Sequence, residues 1–210
     1  MHGNEIILLG GGGHARVLID LIKTSGKYKL AGILDPQLKA GSSIMDISVL
    51  GDDSLLSMLY ERGIRNACIG VGSVKDNTKR KNLFLKTKET GFTFPCLVHT
   101  TAVISEKAVL SEGAQIMAGA IIQTDSRIGE NTLINTGAVI EHDCIIGKHV
   151  HICSGAVLSG GCIIDDGAFI GAGSTVKQGI RIGKNSVTGA GSVVIENVYD
   201  GVVVKGVPAK

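Results

Sequence analysis

The chain has no tryptophan, three prolines and seven aromatic residues among 210, and its formal net charge is only +2. So small an excess of positive charge gives no electrostatic case for binding nucleic acid. No apolar stretch near the start exceeds the short Ile6–Leu9 run, which is too brief for a secretory leader or a membrane span, and neither is expected. The five cysteines, Cys68, Cys96, Cys144, Cys153 and Cys162, are odd in number and contain no CxxC pair. That spacing argues against a disulfide framework and a zinc site, and points to a thiol-keeping cytoplasm. Glycine, by contrast, is abundant at 30 residues. With almost no proline and no G-X-Y period it does not signal collagen, and 44% apolar content excludes a disordered chain.

From Ala102 to Asn197 the sequence divides into sixteen consecutive hexads without an insertion, from AVISEK to SVVIEN. The third position is Ile, Leu or Val in all but one, Thr188, and the first is mostly Ala, Ser or Cys. A period of six fits neither an α-helix nor a hairpin meander. It fits a parallel β-solenoid with three short strands per triangular coil, the aliphatic pointing inward and Gly or Asn turning the corner. Sixteen hexads then make five coils and one extra strand. The second position is often apolar (Val103, Val109, Ile121, Leu133, Val139, Ile145, Val157, Ile163, Phe169), an outward stripe that suggests packing of subunits along the coil axis.

The first hundred residues follow another rhythm, and they carry 13 Lys/Arg against 9 Asp/Glu where the remainder carries 8 against 10. An apolar run at Glu5–Leu9 precedes Gly10–Gly13 and a helical pattern through Val17, Leu18, Leu21 and Ile22. Further strands are expected at Leu30–Leu34, Ala67–Val71 and Phe92–Val98, with a helix starting near Asp52–Asp53. A basic amphipathic helix is expected from Asp76 to Thr90, its Lys75, Lys79, Arg80, Lys81, Lys86 and Lys88 forming a solvated face. Alternating strands and helices imply a small parallel sheet. The expected domains are residues 1–98, a Rossmann-like sheet, and 99–210, a β-helix.

Two constellations carry chemistry. Gly10-Gly11-Gly12-Gly13-His14-Ala15 matches G-x-G-x-x-A between a strand and a helix, and Asp35 follows twenty residues after Ala15. Such glycines admit phosphate to a helix N-terminus while the acid takes a ribose hydroxyl. The domain holds about half the strands of a full dinucleotide fold, so one nucleotide diphosphate fits better. The second constellation is Glu141-His142-Asp143, followed by His149 and His151, in a solenoid where charge is sparse. A histidine beside a carboxylate suits a general base, whereas the three histidines fall on different strands and do not make a metal set. Cys144 and Cys162 stand one coil apart and read as small corner fillers.

A strand–GGGGHA–helix opening followed by hexapeptide repeats that end in Gly206-Val207-Pro208-Ala209-Lys210 resembles the sialic-acid O-acetyltransferase family. Relatives in it acetylate the amine of nucleotide-linked 4-amino-4,6-dideoxy sugars for bacterial surface glycans. The resemblance implies a left-handed β-helix, although parallel crossovers in general prefer the right hand. It also implies a cytoplasmic homotrimer with active sites between adjacent β-helices, and acetyl-CoA as co-substrate. Carried over by position, it makes His142 the catalytic base, followed by the acid Asp143, and Gly160 the backbone donor facing the thioester oxygen. His151 would contact the acetyl end, and Ala172 and Ala190 the pantetheine and adenine ends. Gly10, Gly11, Gly12, His14 and Asp35, with Gly72 and Ser73 from a facing loop, would take the nucleotide sugar. Pro36 stands where some relatives have a second acid, leaving UDP and GDP both open. O-acetylation of sialic acid, a dinucleotide-dependent oxidoreductase and a non-catalytic trimeric scaffold are the rival readings.

Overall fold

A computed structural model describes residues 3–73 and 76–210, so Lys75 of the expected basic face lies outside the described residues. The chain divides into two compact units, Met1–Gly72 with Lys79–Pro95, and Ser73–Thr78 with Cys96–Lys210.

In the first unit β1 (Glu5–Leu9), α1 (Gly13–Ser25), β2 (Lys29–Leu34), β3 (Ser43–Ile44), β4 (Ile47–Gly51), α2 (Leu56–Glu61), β5 (Asn66–Ile69) and α3 (Thr78–Glu89) follow in order. The sheet order is β3-β4-β2-β1-β5, with β4, β2, β1 and β5 parallel and β3 antiparallel to β4. The central strand β1 is buried from Ile6 to Leu9, as an unbroken apolar run in a parallel sheet should be. One face packs Ile7, Leu34, Ile69, Phe84, Phe92 and Phe94 into a common core. From β1 the chain moves out to β2 and β4, then returns to place β5 on the other side of β1. That reversal is a switch point, and the loops after β1 and β5 both leave from it, where open parallel sheets hold their ligands.

Three local expectations change. The β3–β4 hairpin was not foreseen; Met45 and Asp46 turn it with φ of 47° and 68°, the paired left-handed conformation of a two-residue hairpin. The expected Phe92–Val98 strand is divided. Thr93 makes a single bridge with Asn66, whereas Leu97–Val98 pairs with Gln115–Ile116 in the second unit. Arg80 is not on a solvated face: it is 2% exposed and donates to the carbonyls of Ile69 (3.0 Å) and Val71 (3.1 Å). Burial lowers its pKa to about 10, so it still carries its charge at neutral pH.

The second unit is a left-handed β-helix of parallel two-residue strands stacked in sheets of six, five and seven. Successive coils advance by eighteen residues, as in Val103, Ile121, Val139, Val157, Thr175 and Val193 of the first sheet. Third-position aliphatics fill the interior, with Ile140, Ile152, Leu158, Ile170 and Ile182 fully buried. The sixth position adopts a left-handed backbone at every corner from Gly113 to Gly191, including Asp125, Asn131, Asp143, His149 and Asn185. The final coil is two residues short, Val187 pairing with Val203, and residues 205–210 fold back so that Ala209 N–H donates to Val193 O at 2.8 Å. Truncating Ile152 to alanine should cost about 2–5 kcal/mol in chemical denaturation, because a filled coil interior cannot collapse around the void.

The second-position stripe is not uniform. Val103, Val109 and Ile145, on the first and second sheets, are exposed, whereas Leu133, His151 and Phe169 on the third are buried within the chain. Part of that cover comes from Ser73, whose Oγ lies 2.9 Å from His151 Nδ1, and from Asn77, which donates from Nδ2 to Gly167 O at 3.0 Å.

Candidate active site

His142 occupies a corner between the first and second sheets. There the sixth-position N–H bonds the fifth-position carbonyl one coil below, as in Gly161 N–H to His142 O (2.8 Å) and Gly179 N–H to Gly160 O (3.0 Å). This ladder leaves the fifth-position N–H groups unused, and Gly160 N–H meets no protein acceptor among the described residues. Beneath the corner, buried Ser126 donates to Glu141 O at 2.8 Å and accepts from Cys144 N–H at 3.2 Å, clasping the turn from both ends. Cys144 and Cys162 are buried free thiols bonded to the Ser159 and Lys177 carbonyls, which fits their expected role as corner fillers.

His142 Nδ1 lies 2.7 Å from Asp143 Oδ2. That bond raises the imidazole pKa, and the charges of Asp143 and Glu141 add to it. With Nδ1 committed to the acid, Nε2 is the nitrogen left for a substrate proton. The ring rests on Gly160, where a Cβ would fall 2.5 Å from both Cε1 and Nε2 of His142. Gly160 is therefore the residue that lets the base lie across its corner. Asp143 has φ 59°, so its position needs a residue that tolerates the left-handed region. Asp143→Asn should keep the turn and lose the charge, while Asp143→Ala should also be strained by roughly 1 kcal/mol. Thermal melts separate the two, and in the asparagine variant the alkaline-rising limb of the rate should move to lower pH.

The other expected residues fall elsewhere on the solenoid. His151 lies on the third sheet, the face opposite the His142 corner in a three-sided coil. Its Nδ1 is 2.9 Å from Ser73 Oγ and its ring meets Phe169 edge-on at 5.1 Å. Ala172 and Ala190 are exposed at the third corner, each flanked by glycines. One chain thus brings His142, Asp143 and Gly160 together, and sets His151, Ala172 and Ala190 apart from them. Sequence reasoning missed Asn135, whose Nδ2 is 3.4 Å from His151 Nε2, because an isolated asparagine in a repeat reads as a corner residue.

In the first unit the glycine loop leaves β1 through Gly10, at φ 100°, whose Cβ would strike Val71 Cγ2 at 2.7 Å. A Cβ on Gly11 would clash with Leu38 and Ile44, whereas Gly12 and Gly13 face open space. Gly12 caps α1 without any side-chain acceptor, which leaves first-turn N–H groups for an anion. Asp35 organises this loop, accepting from Gly11 N–H (2.7 Å) and Gln37 N–H (2.8 Å) while each oxygen keeps a lone pair. His14 and Gly72 are neighbours, a Cβ on Gly72 lying 3.4 Å from His14 Cβ.

This combination of sheet unit and hexapeptide coil has counterparts. Residues 5–87 match the PglD N-terminal domain family, and residues 125–160 and 161–196 match the bacterial transferase hexapeptide family. The structure of PerB from Caulobacter crescentus, in complex with CoA and GDP-perosamine, is 38% identical with TM-score 0.91, over 98% of this chain and 96% of that one. Histidine-to-alanine and histidine-to-asparagine variants of that GDP-perosamine N-acetyltransferase match equally well in fold, at TM-score 0.91. The acetyltransferase domain of PglB from Neisseria gonorrhoeae, with acetyl coenzyme A, is 31% identical over 99% of this chain and 98% of that one, with TM-score 0.91. A Bacillus subtilis UDP-N-acetylbacillosamine N-acetyltransferase is 38% identical over 114 residues, 54% of this chain and about half (51%) of that enzyme. The chain belongs to the family of hexapeptide-repeat sugar acetyltransferases with a PglD-type N-terminal domain. No helix among the described residues is long and apolar enough to cross a membrane.

Proposed function

We propose that this protein transfers acetyl from acetyl-CoA to the amine of a nucleotide-linked 4-amino-4,6-dideoxy sugar, in the cytoplasm and in the service of bacterial surface-glycan synthesis. The observation that carries the reading is the His142–Asp143 pair at 2.7 Å laid across Gly160, in a chain that aligns end to end with an N-acetyltransferase of GDP-perosamine. His142 Nε2 takes a proton from the amine as its nitrogen forms the new bond to the acetyl carbon, and Asp143 steadies the imidazolium. Gly160 N–H receives the negative charge that develops on the carbonyl oxygen, and the C–S bond breaks to release the thiolate. No acetyl-enzyme intermediate is required.

The coil places His142 and His151 on opposite sides of one chain, so a single ligand touching both needs two copies of the protein. That is the argument for a homotrimer with its active sites between β-helices, and the exposed apolar residues of the first and second sheets fit such packing. Ala172 and Ala190, small and exposed, suit the extended body of acetyl-CoA. The uncapped N-terminus of α1, with Gly10, Gly11, Gly12, His14 and Asp35, suits the diphosphate and ribose of the sugar nucleotide.

Acetyl-CoA consumption against a panel of UDP- and GDP-linked amino sugars and of sialic acids tests the reading. Turnover with an amino sugar and none with sialic acid is expected; no turnover with any acceptor, and no acetyl-CoA binding by calorimetry, overturns it. Asp35→Ala should raise the acceptor KM and leave acetyl-CoA affinity nearly unchanged. Loss of acetyl-CoA binding with the acceptor KM intact would reverse the assignment of the two sites.

A further inference from the structure

Ser73 and Asn135 meet His151 at its two ring nitrogens, and their hydrogen-bonding capacities favour one tautomer of the neutral ring. Asn135 Oδ1 accepts from Thr136 N–H at 2.8 Å, which commits the carbonyl end of that amide and turns its amino end to His151. An amide NH2 can only donate, so His151 Nε2, 3.4 Å away, presents its lone pair. In the neutral ring the proton then sits on Nδ1, which donates to Ser73 Oγ at 2.9 Å. The ring is 6% exposed and edge-on to Phe169, with centroids 5.1 Å apart, so it is held by packing as well as by hydrogen bonds.

We propose that Ser73 is a positioning residue for this reaction, holding His151 as the neutral Nδ1–H tautomer through a hydrogen-bonded chain that runs from Asn135 through His151 to Ser73. The role rests on the reading that His151 meets the acetyl end of acetyl-CoA, and Ser73 acts only through that imidazole. Sequence order makes the arrangement notable, because Ser73 directly follows the Gly70–Gly72 loop. Within the first unit that loop packs on the glycine motif, a Cβ on Gly70 falling 2.6 Å from Gly10 O.

With Ser73→Ala the Nδ1 proton loses the Ser73 hydroxyl, and the balance between the two tautomers shifts. NMR of the full-length protein labelled with ¹⁵N-histidine reads the tautomer directly. In the wild type, His151 Nδ1 should appear protonated and Nε2 unprotonated; in Ser73→Ala a substantial Nε2–H population should appear; Ser73→Thr, which keeps the hydroxyl, should restore the wild-type pattern. In steady-state kinetics Ser73→Ala should raise the KM for acetyl-CoA about three- to tenfold, the worth of one hydrogen bond, with kcat little changed and threonine restoring it. The proposal is overturned by a wild-type His151 protonated at Nε2, by an alanine variant with unaltered tautomer and KM, or by a threonine variant as impaired as alanine. If the wild type transfers no acetyl at all, the function fails, yet the NMR comparison still decides whether Ser73 sets the tautomer.

Discussion

Replacing His142 with alanine is expected to lower kcat about 10²–10⁴-fold, the usual contribution of general acid–base catalysis. Folding and the binding of both substrates should survive, since the side chain is exposed in the chain and its work is done in the transition state. The pH dependence carries as much information as the rate. A general base must be neutral, so the rate rises as pH passes through its pKa, and the Asp143 bond moves that limb above the ordinary histidine value. The limb should vanish in His142→Ala. Raising pH should partly rescue that variant with an amine acceptor, because more of the amine is already deprotonated. A hydroxyl acceptor, whose pKa is far out of range, would gain almost nothing, so the same variant separates N- from O-acetylation. Wild-type kcat in His142→Ala at neutral pH would sink the mechanism.

Gly160→Ala is expected to be nearly as damaging, for a steric reason. The added Cβ would lie 2.5 Å from two atoms of the His142 ring, well inside van der Waals contact. Either the imidazole swings away from Asp143 or the corner shifts, and both move the base and the Gly160 N–H from their places. A misplacement of about 1 Å can cost 10²-fold in rate, so kcat should fall by about that factor or more. The backbone itself does not require glycine here, because Gly160 is absent from the left-handed positions that mark the sixth residue of each hexad. The variant should therefore fold, with a melting temperature near the parent's. A Gly160→Ala enzyme with parental kcat would show that the His142 ring does not rest where the structure has it.

The solenoid was legible because its burial rule is rigid: one inward aliphatic every six residues, and one corner that only a few residue types can turn. Its first strand was not, since Leu97–Val98 lies next to Pro95 and aromatic residues that read as sheet. His142 and Asp143 stood out as charge in an apolar repeat, and the glycine run announced its own loop. Arg80 could not be read as buried. A helix rich in lysine looks solvated along its whole length, and only the packed fold shows which guanidinium reaches the Ile69 and Val71 carbonyls. Asn135 and Ser73 were equally silent as partners of His151, because their bonds join residues 16 and 78 positions away. The outward stripe was half right for a related reason: period six says which side chains leave the coil, but not which of the three faces another segment will cover.

A parallel solenoid has no natural last rung, and every coil offers the next one a full set of amide donors and carbonyl acceptors. Left open, such an end is a template on which a second molecule could stack and a third on that, giving a fibre rather than a closed assembly. The fold-back of residues 205–210 occupies the first-sheet part of that template. Val193 N–H donates to Gly206 O at 3.0 Å and Val193 O accepts from Ala209 N–H at 2.8 Å, so both hydrogen-bonding groups of that residue are spent within the chain. Residues 205–210 thus close the first-sheet edge of the last coil from within the chain.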